Sequence, residues 1–243
     1  MPFDAILFDK DGTLVDFDQT WGPAAYEVMK TLAAGQEGAF RRLAEVSRFS
    51  PRDKRFAPDS PFLAGALDIY APLWARALGR RDLPRLRTEI ASLLRIAALS
   101  SLTPIGDLAA LTRRLGGEGY RLGIVSNDCE ASIRLQAGML EILDDLDFIA
   151  GCDSGYGAKP DPGMIVAFCG AFGVAPARVA VVGDTMADVL SARAAGATAI
   201  GVLSGPAHRD DICHHADYII DTVQDLPDLL ATFAGGGRES ARR

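Results

Sequence analysis

The sequence has no apolar run near the roughly 18 residues that a membrane span requires, and no basic stretch followed by an apolar one at its start. Neither a membrane helix nor a secretory leader is therefore expected. Positive charge is also scarce: 25 Lys and Arg stand against 32 Asp and Glu, a formal net charge of −7. That balance disfavours a nucleic-acid partner held through phosphate contacts. Cysteine is limited to Cys129, Cys152, Cys169 and Cys213, with no C-x-x-C pair. Scattered thiols of this kind read as reduced and mostly buried, which fits a cytoplasmic protein. The run Cys213-His214-His215 is a poor metal site, because adjacent residues rarely converge on one tetrahedral ion.

What remains is an ordinary globular composition, 49% hydrophobic and 23% charged over 243 residues. That length is enough for one large core, or for a core with an accessory domain. The organising stretch is Asp4-Ala5-Ile6-Leu7-Phe8-Asp9-Lys10-Asp11-Gly12-Thr13-Leu14. Ala5 to Phe8 reads as a strand covered on both faces, the pattern of a parallel sheet. It ends abruptly in two carboxylates and a glycine turn. Ligand sites of parallel α/β sheets lie at the carboxyl ends of strands, where Asp9 stands. A carboxylate there is a candidate nucleophile, and Asp11 a candidate for proton transfer.

From about Gln19 to Leu99 no convincing strand is found, and four segments carry apolar residues at helical spacing: 21–34, 37–49, 61–78 and 83–98. They predict a helical module inserted after one strand, over 18–99, with the α/β core formed by 1–17 and 100–234. Strand–helix alternation then begins. Strands are expected at 120–125, 148–150, 178–182, 198–202 and 218–220, and helices at 105–115, 129–137, 163–172, after the stretch 183–188 up to 195, and near 226–233. The Gly- and Arg-rich tail, 235–243, reads as disordered.

Further strand ends carry chemistry. Ser126 and Asn127 offer a hydroxyl and main-chain N–H groups suited to a phosphate oxygen. Lys159, in Ala158-Lys159-Pro160-Asp161-Pro162, is a compact cation suited to a phosphoryl group. Asp184 follows an apolar strand, with Asp188 four residues on along the same helical face. With Asp9 they form a hard-oxygen set of the kind that holds Mg²⁺. Each also has a plain structural reading. Ser126 can simply end a strand, Lys159 can be a solvated loop residue, and Thr185-x-x-Asp188 can cap a helix.

Together these residues resemble a known family. Asp9-Lys10-Asp11-Gly12-Thr13 matches the D-x-D-G-T motif of the haloacid dehalogenase superfamily, Ser126 its second motif, Lys159 its third and Gly183-Asp184-x-x-x-Asp188 its fourth. The helical insertion resembles that family's cap of the first type, and several stretches, among them 119–127 and 194–197, resemble phosphoglycolate phosphatases. The resemblance implies a Rossmann-like three-layer α/β/α core with a parallel sheet and a helical cap. It also implies a Mg²⁺-dependent phosphatase, monomeric or homodimeric, acting on a small phosphate ester. Asp9 would attack phosphorus and Asp11 would serve as acid and base. The Asp9 and Asp184 carboxylates, the Asp11 carbonyl and, through water, Asp188 would hold the metal. Ser126, Asn127 and Lys159 would hold the phosphoryl group. Rivals are a phosphomutase of the β-phosphoglucomutase kind and a non-catalytic module phosphorylated on Asp. A final expectation concerns Arg41 to Arg55, where six basic residues against Glu45 and Asp53 give a net of +4. They form either a solvated face or a reader of a second anionic group on the substrate.

Overall fold

The computed structural model describes residues 2–63, 67–206 and 209–234; the tail from 235 onward lies outside them. The chain divides into two compact units, 1–16 with 104–243, and 17–103. It opens with strand β1 (Ala5–Phe8), every residue of which is buried.

The chain then enters the helical unit. Helices α1 (Phe17–Ala33) and α2 (Glu37–Val46) come first, followed by two short strands, β2 (Phe49–Ser50) and β3 (Arg55–Phe56), and by helices α3 (Leu67–Leu78) and α4 (Leu83–Ser100). The β2–β3 ribbon is antiparallel and pairs Phe49 with Phe56. Sequence reading finds no strand here, because two-residue strands are too short to show a period-2 pattern. An aromatic cluster supports the ribbon. Phe56 stacks on Phe62 at 4.4 Å and tilts against Phe49 at 4.9 Å. Beside them Trp74 is buried, its indole N–H donating to Ser47 Oγ at 2.7 Å. That bond meets the requirement of a buried polar edge. The basic stretch finds partners within this unit: Arg41 with Glu37, Arg42 Nε with the Ala77 carbonyl, Arg48 with Asp59, and Arg55 with Asp18. Exposed pairs of this kind contribute about 0–1 kcal/mol each.

The second unit resumes with α5 (Leu108–Gly117), β4 (Arg121–Val125), α6 (Glu130–Met139), β5 (Phe148–Ala150), α7 (Gly163–Phe172), β6 (Val179–Gly183), α8 (Met186–Ala195), β7 (Thr198–Val202), α9 (Arg209–His215), β8 (Tyr218–Ile220) and α10 (Leu226–Ala234). Six strands form one sheet in the order β5-β4-β1-β6-β7-β8, every pairing parallel. Alternate residues Ala5, Leu7, Val179 and Val181 pack with Met164, Ile165, Phe168, Val189 and Ala192 of α7 and α8. Ile6, Phe8, Ala180 and Val182, one position out of phase, turn to the opposite face, as the period of a strand dictates. The helix α9 has no counterpart in the sequence reading. Ile212 is its one buried apolar residue, so no periodicity betrays it. Its Cys213, His214 and His215 are exposed.

From β1 the sheet grows in both directions, to β4 and β5 on one side and to β6, β7 and β8 on the other. The point where strand order reverses is where parallel sheets open a crevice at their carboxyl ends. Asp9 and Asp184 follow the two strands that flank it.

Candidate active site

The ladder continues one residue past β1: Asp9 N–H donates to the Val182 carbonyl at 2.8 Å. The main chain at Asp9 is thereby fixed to the sheet, and the residue is buried. Lys159, on the loop between β5 and α7, donates from Nζ to Asp9 Oδ1 at 2.6 Å and to Asp188 Oδ1 at 2.5 Å. The loop is clamped by Asn127, whose Nδ2 donates to the Lys159 carbonyl at 3.0 Å and whose Oδ1 accepts from the Lys159 N–H at 2.8 Å. The phosphate contact expected of this stretch falls to main-chain N–H groups and the Ser126 hydroxyl. The Asn127 side chain has a separate role, since both ends of its amide are engaged by main chain and fix the position of Lys159.

Asp188 divides its two oxygens between structure and site. Oδ2 accepts from the Thr185 N–H at 3.0 Å and hydroxyl at 2.6 Å. This is the helix-capping arrangement expected of α8, and Oδ1 is left for Lys159. Asp184, 1% exposed, is cradled by glycines. A Cβ on Gly12 would come within 2.3 Å of its Oδ2, and one on Gly205 within 1.8 Å. Gly12 is also at φ +85°, where a side chain is strained. Gly205 and its neighbour Ser204, whose Oγ donates to the Gly12 carbonyl at 2.7 Å, escaped the sequence reading. Their one signal was position, just beyond strand β7.

One oxygen from each of Asp9, Asp184 and Asp188 lies within 4.8 Å of the others, all three residues buried. Of these, Asp184 Oδ2 has no hydrogen-bond partner among the described residues. An orphaned carboxylate oxygen beside two more buried carboxylates is costly without a cation. The donor set is all oxygen and anionic, so it fits a hard divalent ion such as Mg²⁺. Electrostatics agree. Burial, against the pull of Lys159 and with the repulsion of Asp188 and Asp11, pushes the Asp9 carboxyl up to about 6. Asp184 is raised for the same leading cause, burial, reinforced by Asp9 and Asp188. Burial opposes the charge on Lys159, but Asp188 and Asp9 outweigh it and raise its pKa.

The other sequence candidates lie at neighbouring strand ends. Ser126, buried after β4, accepts at Oγ from the Asp128 N–H at 3.2 Å. The Asp11 carboxyl is outside the three-carboxylate group. It accepts at Oδ1 from Lys10 Nζ at 2.7 Å.

Residues 3–196 match the family model of haloacid dehalogenase-like hydrolases. The chain is 27% identical over 241 residues to a phosphoglycolate phosphatase of Nitrosospira multiformis, covering 95% of this chain and 96% of that one. It is 26% identical over 235 residues to an N-acetylmuramic acid 6-phosphate phosphatase of Pseudomonas aeruginosa, again covering 95% and 96%. Among solved structures, a predicted phosphoglycolate phosphatase from Haemophilus somnus superposes with a TM-score of 0.72 at 18% identity, over 95% of this chain and 99% of that one. With the sheet order, the four strand-end motifs and a family match over most of its length, the chain belongs to the haloacid dehalogenase-like hydrolases.

Proposed function

We propose that the protein is a Mg²⁺-dependent phosphatase that hydrolyses a small phosphomonoester, phosphoglycolate-like in size, through an aspartyl-phosphate on Asp9. The observation that carries this reading is the buried Asp9 carboxylate, 2.6 Å from Lys159 Nζ and grouped with Asp184 and Asp188. Asp9 attacks phosphorus as the bond to the leaving oxygen breaks. Asp11 delivers a proton to that oxygen, and then takes one from the water that cleaves the aspartyl-phosphate. Asp9, Asp184, the Asp11 carbonyl and, through water, Asp188 would hold Mg²⁺, which supplies positive charge to an anionic phosphoryl group. Lys159 adds a second positive charge, and Ser126 a hydroxyl. Such charge offsets the repulsion between an attacking carboxylate and the phosphate it attacks. The presence of Asp11 favours ester hydrolysis, because an alkoxide leaving group needs an acid. The two relatives differ in substrate, so their names leave the ester open within the class of phosphorylated metabolites.

A screen of phosphorylated metabolites with Mg²⁺, read by released inorganic phosphate, tests the reading. Free phosphate from at least one ester supports it. An isomerised sugar phosphate without phosphate release would make the protein a mutase, and no turnover of any ester would revive the non-catalytic reading. Ca²⁺ in place of Mg²⁺ is expected to inhibit, since it takes more oxygens at longer distances and would grip Asp9 on both.

Metal and proton should compete. Asp9 rises from 3.8 in the unfolded chain to about 6 in the fold. Its contribution to metal-free stability is therefore fully present below about pH 4 and lost as pH rises through about 6. Mg²⁺ requires the ionised form. Thermal unfolding should show a larger rise in Tm with Mg²⁺ at pH 7.5 than at pH 5. An equal or reversed dependence would count against the carboxylate cluster as the binding site.

A further inference from the structure

We propose that Lys10 is a positioning residue that holds the Asp11 carboxyl in line for proton transfer to the leaving group; this rests on the reading of Asp11 given above. Lys10 occupies the variable place between the two motif aspartates. It is 2% exposed and among the largest fully buried side chains of the protein. Burying an ammonium is expensive unless it is paired, and an apolar residue of similar length would avoid the expense.

The surroundings of Lys10 are built to receive its charge. Nζ lies 2.7 Å from Asp11 Oδ1, 2.9 Å from Gln136 Oε1 and 3.2 Å from Asp128 Oδ2. The first two accept hydrogen bonds from the ammonium, and Asp128 Oδ2, which has no hydrogen-bond partner among the described residues, pairs with it by charge. Two of the three are themselves fixed. Gln136, fully buried on α6, donates from Nε2 to Ser132 Oγ at 3.2 Å, which keeps Oε1 turned to Lys10. Asp128, in the connection from β4 to α6, accepts at Oδ1 from the Cys129 N–H at 2.7 Å. Lys10 is thus tied to the scaffold by a hydrogen bond to Gln136 and an ion pair with Asp128, and it also donates to Asp11.

The consequence is chemical. A carboxyl whose Oδ1 accepts from an ammonium carries its transferable proton on Oδ2. The phosphorus–oxygen bond to the leaving group breaks, the proton passes from Asp11 Oδ2 to the departing alkoxide, and the carboxylate left behind stays paired with Lys10. An acid held in one rotamer delivers its proton without a search, which is the gain that orientation supplies.

A merely structural tie between the β1 loop and α6 would be indifferent to the leaving group, and that separates the two roles. The comparison uses kcat/KM for the best alkyl phosphate from the screen above and for p-nitrophenyl phosphate, whose leaving group needs little protonation. Lys10→Met should lower the first roughly 10- to 100-fold, a share of the ~10²–10⁴ that a positioned acid supplies, and the second less than about threefold. Gln136→Met removes one anchor and leaves the charge in place. It should show the same bias in smaller measure, and it carries the test if Lys10→Met does not fold. Equal losses on both esters would overturn the proposal while leaving Asp9 chemistry intact. No turnover of either ester by the unaltered enzyme would overturn the reading beneath it as well.

Discussion

Asp9→Asn should abolish turnover and, in the absence of metal, stabilise the protein. The amide keeps the shape of the carboxylate but cannot act as an anionic nucleophile. Loss of a nucleophile in a cooperating site is worth far more than about 10³-fold in kcat. The stability change follows from the position of the group. An ordinary carboxyl at 3.8 that is raised to about 6 by burial, by Asp188 and by Asp11, even with Lys159 beside it, is ionised in the fold at a net cost. Removing that charge at pH 7.5 recovers a few kcal/mol, at most about 3 at 1.36 kcal/mol per pH unit. Urea unfolding in chelator reads the gain. Adding Mg²⁺ should then stabilise the wild type more than the variant. A variant that keeps measurable phosphatase activity, or that is clearly less stable than wild type without metal, would contradict the assignment.

Lys159→Met should have the opposite effect on stability and the same direction of effect on activity. Lys159 is the ammonium that joins Asp9 to Asp188. Without it, Asp9, Asp184 and Asp188 stand buried together with no ion-pair partner among the described residues. Removing one partner of a buried ion pair costs about 3–5 kcal/mol. The cost should be largest in chelator at neutral pH, and shrink with Mg²⁺ or below pH 5, where protons or metal discharge the carboxylates. Loss of a charge that stabilises the transferring phosphoryl group should lower kcat by roughly 10²- to 10³-fold. Lys159→Arg keeps the charge and should recover stability better than activity, because a planar guanidinium does not reproduce a point contact with two oxygens. If Lys159→Met were as stable as wild type in chelator, the cluster would not be electrostatically coupled as described.

Much of this site was legible because chemistry interrupts strong local patterns. Ala5 to Phe8 is apolar without a break and stops at Asp9; Val179 to Val182 does the same before Asp184. Strands at 148–150, 198–202 and 218–220 and the helix at 163–172 occur with the bounds expected, since each is a compact apolar block between turn residues. What sequence pattern missed had no periodic signal or depended on distant partners. The β2–β3 ribbon is held by ring packing between Phe49, Phe56 and Phe62, whose pairing depends on the tertiary fold. Lys10 carries no signal of its role in the sequence, because Gln136, which receives it, lies 126 residues away. That the amide of Asn127 clamps the main chain of Lys159 also depends on a partner 32 residues away, which no local pattern shows. Gly205 gains its meaning only from Asp184, whose carboxylate fills the space a side chain would take.

Phosphorylation of Asp9 during turnover is open to chemical trapping. Enzyme mixed with Mg²⁺ and its best ester would be acid-quenched within a turnover and reduced with borohydride, which converts an aspartyl-phosphate to homoserine. Peptide mass spectrometry would then locate the change. Homoserine should form at position 9 and nowhere else, dependent on substrate and absent from Asp9→Asn. Phosphate release at the normal rate with Asp9 never modified, or with the label on another residue, would contradict phosphorylation of Asp9.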